Sequence, residues 1–255
     1  MKLAVLVLLA ACHQAGGDDY PLAPSGNGGP PIAIGGGGTG GGGGDAGTDA
    51  VDSDGGVPVA GRVCLLADLR TLTACLPTGA KGLTVTLGTR TTTTLSDDGA
   101  FSFVAQLGDG FFWHVKGATD QRIVTSVIPL GTDYTLPAIT TAAYTGMLGS
   151  NGVTIIDQQG SAVVRVVRGT APVTGAVATA PAANPPVLYD TANNTIWGQT
   201  STGDLGVVWI PVIPLAAVAP TTATITITPP QPAVAVKAIV PVENGSITFV
   251  TRDIQ

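Results

Sequence analysis

Cysteine offers the most reactive side chain in this 255-residue sequence, and its three copies stand in different surroundings. Cys12 ends the stretch Leu9-Ala10-Ala11-Cys12, which closes an apolar run that starts at Leu3. The small side chains of Ala10 and Ala11 let a signal peptidase approach the backbone, and the Cys12 thiol is a nucleophile that can take up a diacylglycerol. The stretch therefore predicts an export and lipidation site.

Those four residues resemble the lipobox of bacterial lipoproteins, whose cysteine becomes the lipidated first residue of the mature protein. The resemblance implies a signal peptide at residues 1–11 and acyl chains, palmitate among them, on Cys12. Leaders usually run about 15 to 30 residues, so a start further upstream, a minimal leader and a buried N-terminal strand all stay open. His13 is not the Asp that often retains related proteins at the inner membrane, which favours the outer membrane.

Residues 12–56 are dominated by Gly, Pro and Asp. This composition cannot bury enough apolar surface to offset the entropy of ordering, so it predicts a disordered linker. Its glycines satisfy a G-x-G-x-x-G pattern, but without the flanking strand and helix of a nucleotide-binding loop. The Asp-rich run from Asp45 to Asp54 lacks the first and last ligands of a calcium loop. We expect a solvated tether with no cofactor and no metal.

The charge distribution argues against a nucleic-acid partner. The formal net charge is -6, but six acidic residues and Lys2 precede Val57, which leaves 11 acidic and 10 basic residues in the rest of the chain. That part is nearly neutral and has no basic stripe to neutralise phosphates. Nothing after the leader reaches 18 consecutive apolar residues, so no transmembrane helix is expected.

Cys64 and Cys75 are an even pair once Cys12 is assigned to lipid. In an exported chain such a pair predicts a disulfide bond, and this spacing suits a bridge from a strand to its following loop. Closing so short a loop stabilises a fold by about 3 kcal/mol in the chain-entropy model. Zinc is a poor alternative because no further Cys or His lies nearby.

Side chains for acid, base or nucleophilic catalysis are few. His114 is the only histidine outside the linker, and it lies in the strand-like run Phe111 to Val115, where a structural role is the more common one. No G-x-S-x-G element presents a serine nucleophile to it. Asp97 and Asp98 are adjacent in a turn, so their carboxylates point apart. The sequence therefore predicts no catalytic residue and no enzyme.

Four aromatic residues are candidates for a ligand surface. Phe111 and Trp113 lie in the run Phe111-Phe112-Trp113, where alternation puts at least one ring on the face opposite to the others. An exposed ring there offers a stacking surface for a sugar or a protein partner, although core packing explains two of the three. Trp197 and Trp209 are the second pair of candidates.

Alternating apolar and polar residues begin at Val57 and predict β-strands. Leu83, Val85 and Leu87 face one side of a half-buried strand, and Thr84 and Thr86 face the other. Gly- or Asp-rich turns separate similar runs at Val63–Leu66, Phe101–Val104, Phe111–Val115 and Ile123–Ile128. Because no long helical period intervenes, these runs predict a β-sandwich over residues 57–140.

Residues 141–160 interrupt the alternation. Ala142, Ala143, Met147 and Leu148 fit one or two helical turns, which predicts a connector. A second sandwich is then predicted over residues 161–255. Its strand-like runs are Ser161–Arg168, Val173–Ala178, Thr195–Gln199, Val207–Ile213, Thr222–Thr228, Ala233–Ile239 and Ile247–Thr251. Prolines in this half lack an amide donor, so we expect them in loops, at bulges or on edge strands.

The two halves repeat one local pattern. The segments Thr94 to Phe101 and Thr200 to Val207 each give Thr, then Asp-x-Gly, then an apolar strand. This is typical of a turn that Asp caps and in which Gly takes a positive φ. At this point the chain resembles the carboxypeptidase regulatory-like, transthyretin-type (Ig-like) β-sandwich over most of residues 57–255, with an insertion or longer loop at Leu188 to Trp197. The resemblance implies two tandem sandwiches with a noncatalytic companion or adhesion-like role.

Together these patterns predict an all-β lipoprotein of the bacterial cell envelope with a structural or protein-binding role. A carbohydrate-binding or adhesion module is the first alternative, and it requires an exposed aromatic pair. An envelope hydrolase is the second, and it requires a polar pocket with His114 and a carboxylate within hydrogen-bond reach. The expected partners are the membrane, through Cys12, and an envelope protein or glycan.

Overall fold

A computed structural model describes residues 56–106, 109–117, 123–131, 133–155, 158–180, 187–191, 196–215, 221–230 and 234–254. All of them belong to one compact unit, Asp49–Gln255. The predicted signal peptide, the lipidation site at Cys12 and the linker as far as residue 55 lie outside the described residues.

Strands account for most of the described part of the chain. The first half contains β1 (Val57–Leu66), β2 (Thr84–Leu87), β3 (Arg90–Thr93), β4 (Ala100–Ala105), β5 (Phe112–Lys116), β6 (Ile123–Pro129) and β7 (Thr135–Thr140). Helix α1 (Thr141–Ser150) follows at the predicted connector. The second half contains β8 (Gln159–Arg168), β9 (Ala171–Pro172), β10 (Val177–Thr179), β11 (Leu188–Asp190), β12 (Trp197–Gly198), β13 (Val207–Pro214), β14 (Thr221–Thr228), β15 (Val236–Val242) and β16 (Ser246–Asp253). The all-β fold predicted from the alternation is confirmed.

The strands of the first half surround one hydrophobic core. β1 pairs antiparallel with β4 and parallel with β7, and β6 pairs with both β7 and β5. β5, β2 and β3 continue the antiparallel sheet. The predicted alternation decides the packing of β2, since Val85 and Leu87 are buried in this core while Thr84 and Thr86 lie half-buried on the outer face.

The second half is a sandwich built on β8. This strand pairs antiparallel with β13 and parallel with β16, and β11 and β12 extend the sheet beyond β13. A separate sheet of β10, β14 and β15 faces it. In β14, Ala223, Ile225 and Ile227 alternate with threonines and point into the core between the two sheets, where they meet Val164 and Ile210.

Strand β16 joins the two halves. Its residues 246–248 pair in parallel with residues 125–127 of β6, so the large sheet continues from the second half into the first. A third core, which includes Leu66, Tyr144 and Trp209, lies on the face of this sheet opposite to β14. β8 and β13 are therefore buried on both faces, which explains why their sequences are nearly continuous apolar runs.

The internal repeat predicted from the Asp-x-Gly turns is present in the hydrogen bonds. Thr94 Oγ1 accepts from the amide of Leu83 at 2.8 Å. Thr202 Oγ1 accepts the equivalent bond from the amide of Ala176 at 2.9 Å. Both threonines are buried, so each hydroxyl holds a turn against the edge of a core in the same way.

Gly99 and Gly206 close the two repeated turns. Their φ angles are 79° and 66°, in the left-handed region that side chains disfavour. A Cβ at Gly99 would lie 2.3 Å from the carbonyl oxygen of Val63, and one at Gly206 would lie 2.5 Å from that of Val166. The repeated turn therefore requires glycine twice, once against β1 and once against β8.

Candidate functional site

The four aromatic candidates lie in different surroundings. Trp113 and Trp209 are fully buried in separate cores, so neither ring is open to a ligand. Phe111 is 79% exposed just before β5, and its carbonyl accepts a hydrogen bond from the amide of Leu130 at 2.7 Å. Trp197 in β12 is half-buried, and it is the candidate that borders a groove.

The Trp197 indole packs against a second ring and a cation. Its centroid lies 5.0 Å from that of Trp209 and 5.7 Å from the guanidinium carbon of Arg70. Because Trp209 is buried, this pair exposes only one ring. Arg70 was not singled out from the sequence, since nothing local to it predicts a contact with β12.

Arg70 lies on a loop that a disulfide closes. Cys64 in β1 and Cys75 are bonded, with their sulfurs 2.03 Å apart, which confirms the predicted bridge. Within the loop, Arg70 binds the Asp68 carboxylate through Nε, at 3.0 Å, and through Nη2. The two-pronged contact fixes the guanidinium plane and balances its charge.

Helix α1, the disulfide loop and the start of β12 enclose a groove of about 410 Å³, hereafter the α1 groove. Ala143, Gly146, Met147 and Ser150 supply the helix side of it, and all of them except Met147 are small. A Cβ at Gly146 would meet nothing within 4 Å, which means that the absent side chain leaves open space. Ile196, which is 67% exposed, stands at its outer wall beside Trp197.

Polar atoms around the α1 groove include both donors and acceptors. Arg70 Nη1 and Trp197 Nε1 are buried donors that have no hydrogen-bond partner among the described residues. Asn151 Nδ2 donates to a helix carbonyl at 2.8 Å, which leaves its Oδ1 as an acceptor. The Ser150 hydroxyl also donates to a helix carbonyl at 2.8 Å, and its oxygen can still accept.

A second cavity, of about 480 Å³, lies along α1 and is bordered by Tyr144 and Gly149. The Tyr144 ring lies 6.0 Å from that of Trp209. Burial raises the pKa of Tyr144 to about 12, so the phenol stays neutral across the physiological range. The described lining of this cavity carries no charged side chain, which makes it the less polar of the two.

His114 lies beside the only glutamate of the chain. Its Nε2, on β5, is 2.7 Å from Oε1 of Glu243, which follows β15, and the two side chains are 25% and 27% exposed. The hydrogen bond to His114 lowers the pKa of Glu243, with a smaller contribution from the Lys116 charge and against the opposing effect of burial. The pair supplies the carboxylate near His114 that the hydrolase alternative requires.

The surroundings of this pair favour proton exchange or a structural link over nucleophilic chemistry. Thr86 is the residue opposite His114 on β2, and its hydroxyl pairs with that of Thr91 at 3.2 Å. Among the described residues, no group of three His, Cys, Asp or Glu side chains is placed to hold a metal ion. The geometry thus gives His114 an acid or base partner and joins β5 to the turn before β16.

No protein-family model matches the chain, and no curated protein matches it. The resemblances to lipoproteins and to regulatory-like modules therefore stay predictions. Among the described residues, no helix has both the length and the apolar character needed to cross a membrane.

Proposed function

We propose that this chain is a cell-envelope lipoprotein, anchored through Cys12, with a noncatalytic structural or protein-binding role. The observation that carries the proposal is the bond between Cys64 and Cys75. Disulfides persist in oxidising compartments outside the cytosol, so the bridge supports export. It also accounts for two of the three cysteines, and the third stands at the end of the lipobox-like stretch.

The proposed location is the outer membrane, facing the periplasm or the surface. His13, in place of the Asp associated with inner-membrane retention, supports this choice. A single acyl chain binds a membrane only marginally, whereas two chains hold a protein durably. Stable anchoring therefore requires that Cys12 carry more than one chain.

The use of the charged side chains supports a noncatalytic role. Asp68 accepts hydrogen bonds from the Arg70 guanidinium. The buried Asp190 accepts hydrogen bonds from two backbone amides. His114 and Glu243 bond to each other across two segments of the fold. Each of these groups has a structural use, and none of them is paired with a hydroxyl or thiol among the residues that the structure describes.

The anchor is tested by Cys12→Ser in a bacterium that processes lipoproteins. We expect the native protein to incorporate labelled palmitate and to enter the detergent phase on phase separation. Cys12→Ser should lose the label and move to the aqueous phase, because the sulfur that forms the thioether is gone. Cys75→Ser, which removes a different thiol, is the control and should keep the label. A labelled Cys12→Ser protein, or an unlabelled native one, would overturn the proposal.

A further inference from the structure

We propose that the α1 groove is a binding site for a neutral sugar unit of a glycan. The inference goes beyond the anchoring role, because it rests on the side chains around α1 and not on Cys12. Its failure would leave the lipid anchor standing, and failure of the anchor would leave the groove unchanged.

Charge is the first reason for a neutral ligand. Arg70 is the only charged side chain in the described lining of the α1 groove. Its guanidinium is already bound through two nitrogens by Asp68. The groove is therefore close to neutral, and a carboxylate or phosphate would be desolvated there while meeting a cation whose charge is already balanced.

Hydrogen-bonding capacity is the second reason. Trp197 Nε1 is a donor that has no partner among the described residues, and Asn151 Oδ1 and Ser150 Oγ can accept. A carboxylate or phosphate only accepts, whereas a sugar hydroxyl both accepts and donates, so it can use both kinds of group. Buried donors without a partner are destabilising, and an acceptor that reaches them removes that defect.

The Trp197 Nε1 donor is covered by neighbouring atoms. Because Asp68 holds the Arg70 guanidinium, binding requires a rotation of the Trp197 side chain that turns its N–H toward the ligand. Such a rotation changes the packing of the Trp197 indole against the guanidinium. The Trp197 N–H is consequently a direct reporter of occupancy.

Size and apolar contacts fit a sugar of one or two rings. The α1 groove, at about 410 Å³, falls within the usual range of small-molecule sites. Ile196, Met147 and the Trp197 indole can cover the C–H face of a sugar, while the hollow at Gly146 receives the ring. A flexible peptide is the rival occupant, and its binding to the groove would move the Trp197 signal without any response to sugars.

The test uses the indole N–H signals in an NMR spectrum of the full protein. The chain has three tryptophans, so three signals are expected, and Trp197→Phe identifies the one from Trp197. Titration with cellobiose or diacetylchitobiose should move the Trp197 signal with a Kd of about 1 mM or tighter, and should leave that of the buried Trp113 in place. No movement with either disaccharide at about 50 mM would overturn the proposal. Movement with a casein digest but neither sugar would assign the groove to peptides and would also overturn it.

Matched glycine variants locate the binding to one side of α1. Gly146→Phe fills the α1 groove, so the Kd for the disaccharide should rise about tenfold or more. Gly149 borders the other cavity, so Gly149→Phe should leave this Kd within about twofold of the native value. A Cβ at either position meets open space, so both variants should fold, and an unchanged Trp113 signal checks this. Arg70→Gln removes the guanidinium that packs against the Trp197 indole and should also weaken binding about tenfold. Unaltered binding by Gly146→Phe would contradict the assignment.

Discussion

Asp190 shows how one buried carboxylate organises a turn that is distant in sequence. It lies fully buried in β11, where its Oδ1 accepts from the Val207 amide at 2.7 Å and its Oδ2 from the Leu205 amide at 2.8 Å. In the first half, Asp98 accepts from the Ala100 amide at 3.4 Å, although the Asp-x-Gly pattern predicts its neighbour Asp97 as the capping residue. In the second half Asp190 takes over this task, which the local pattern does not indicate.

Replacement of Asp190 tests that role at the scale of one residue. Asp190→Ala leaves two backbone amides without an acceptor, so we expect the free energy of unfolding to fall by about 2–4 kcal/mol. The matched control is Asp204→Ala in the same turn, where the side chain is exposed and the change should stay within about 0.5 kcal/mol. Denaturant unfolding measures both, and equal losses would show that Asp190 does not cap the turn.

The elements that the sequence predicts well are those with a strong local pattern. The alternation predicts β2 and β14, the run of small and apolar residues predicts α1, and the even pair of cysteines predicts the bridge. β3 is missed because its sequence is Arg90 followed by threonines, with no apolar face. β7 is missed because Pro137 lies inside it, and β11 because it has only 3 residues.

The α1 groove is an assembly of elements, and its composition could be predicted only in part. Trp197 was a candidate from the sequence, and the helix and the disulfide loop were each expected. The packing of the third core brings these three elements together and places Arg70 against Trp197. Contacts between segments so far apart leave no local signature in the chain.

Removal of the disulfide tests the loop as an element. Replacing both Cys64 and Cys75 by Ala should lower the free energy of unfolding by about 3 kcal/mol, because the unfolded chain regains the entropy of an open loop. The measurement is denaturant unfolding, and reductant should lower the stability of the native protein by a similar amount while leaving the double variant unaffected. Cys12→Ser is the control and should match the native protein. A double variant as stable as the native chain would contradict this account.

At the scale of the whole molecule, the joining of the two halves was not foreseeable from the sequence. The repeat predicts two similar sandwiches, whereas the described residues belong to one compact unit. The parallel pairing of β16 with both β8 and β6 makes one sheet of them, and a shared core forms beside it. Parallel pairing between distant segments carries no turn signal, because the strands are not joined by a short loop.

The bond between His114 and Glu243 is a second link between the halves, and acid should weaken it. The pKa of Glu243 is held below its ordinary value of 4.5 by the hydrogen bond to His114, with help from Lys116. Its stabilising effect is therefore present above the ordinary pKa and is lost as the pH falls through the lowered one. We expect the stability advantage of the native protein over Glu243→Gln to shrink between neutral pH and about pH 3.

Denaturant unfolding at a series of pH values measures this advantage. Asp204→Asn serves as the control because it removes an exposed carboxylate from a turn that is distant in sequence. The difference in free energy of unfolding between Asp204→Asn and the native protein should change less with pH. If the native protein is more stable than Glu243→Gln by the same amount at neutral pH and in acid, the bond between His114 and Glu243 does not contribute to stability.

The central claim is that Cys12 anchors the whole molecule to a membrane. Mass spectrometry of the N-terminal peptide from membrane-purified protein tests it most directly. The account predicts a mature chain that begins at Cys12 and carries a diacylglyceryl group with further acyl chain mass. A mature chain that begins at Met1, without acyl chains and in the soluble fraction, would contradict the account.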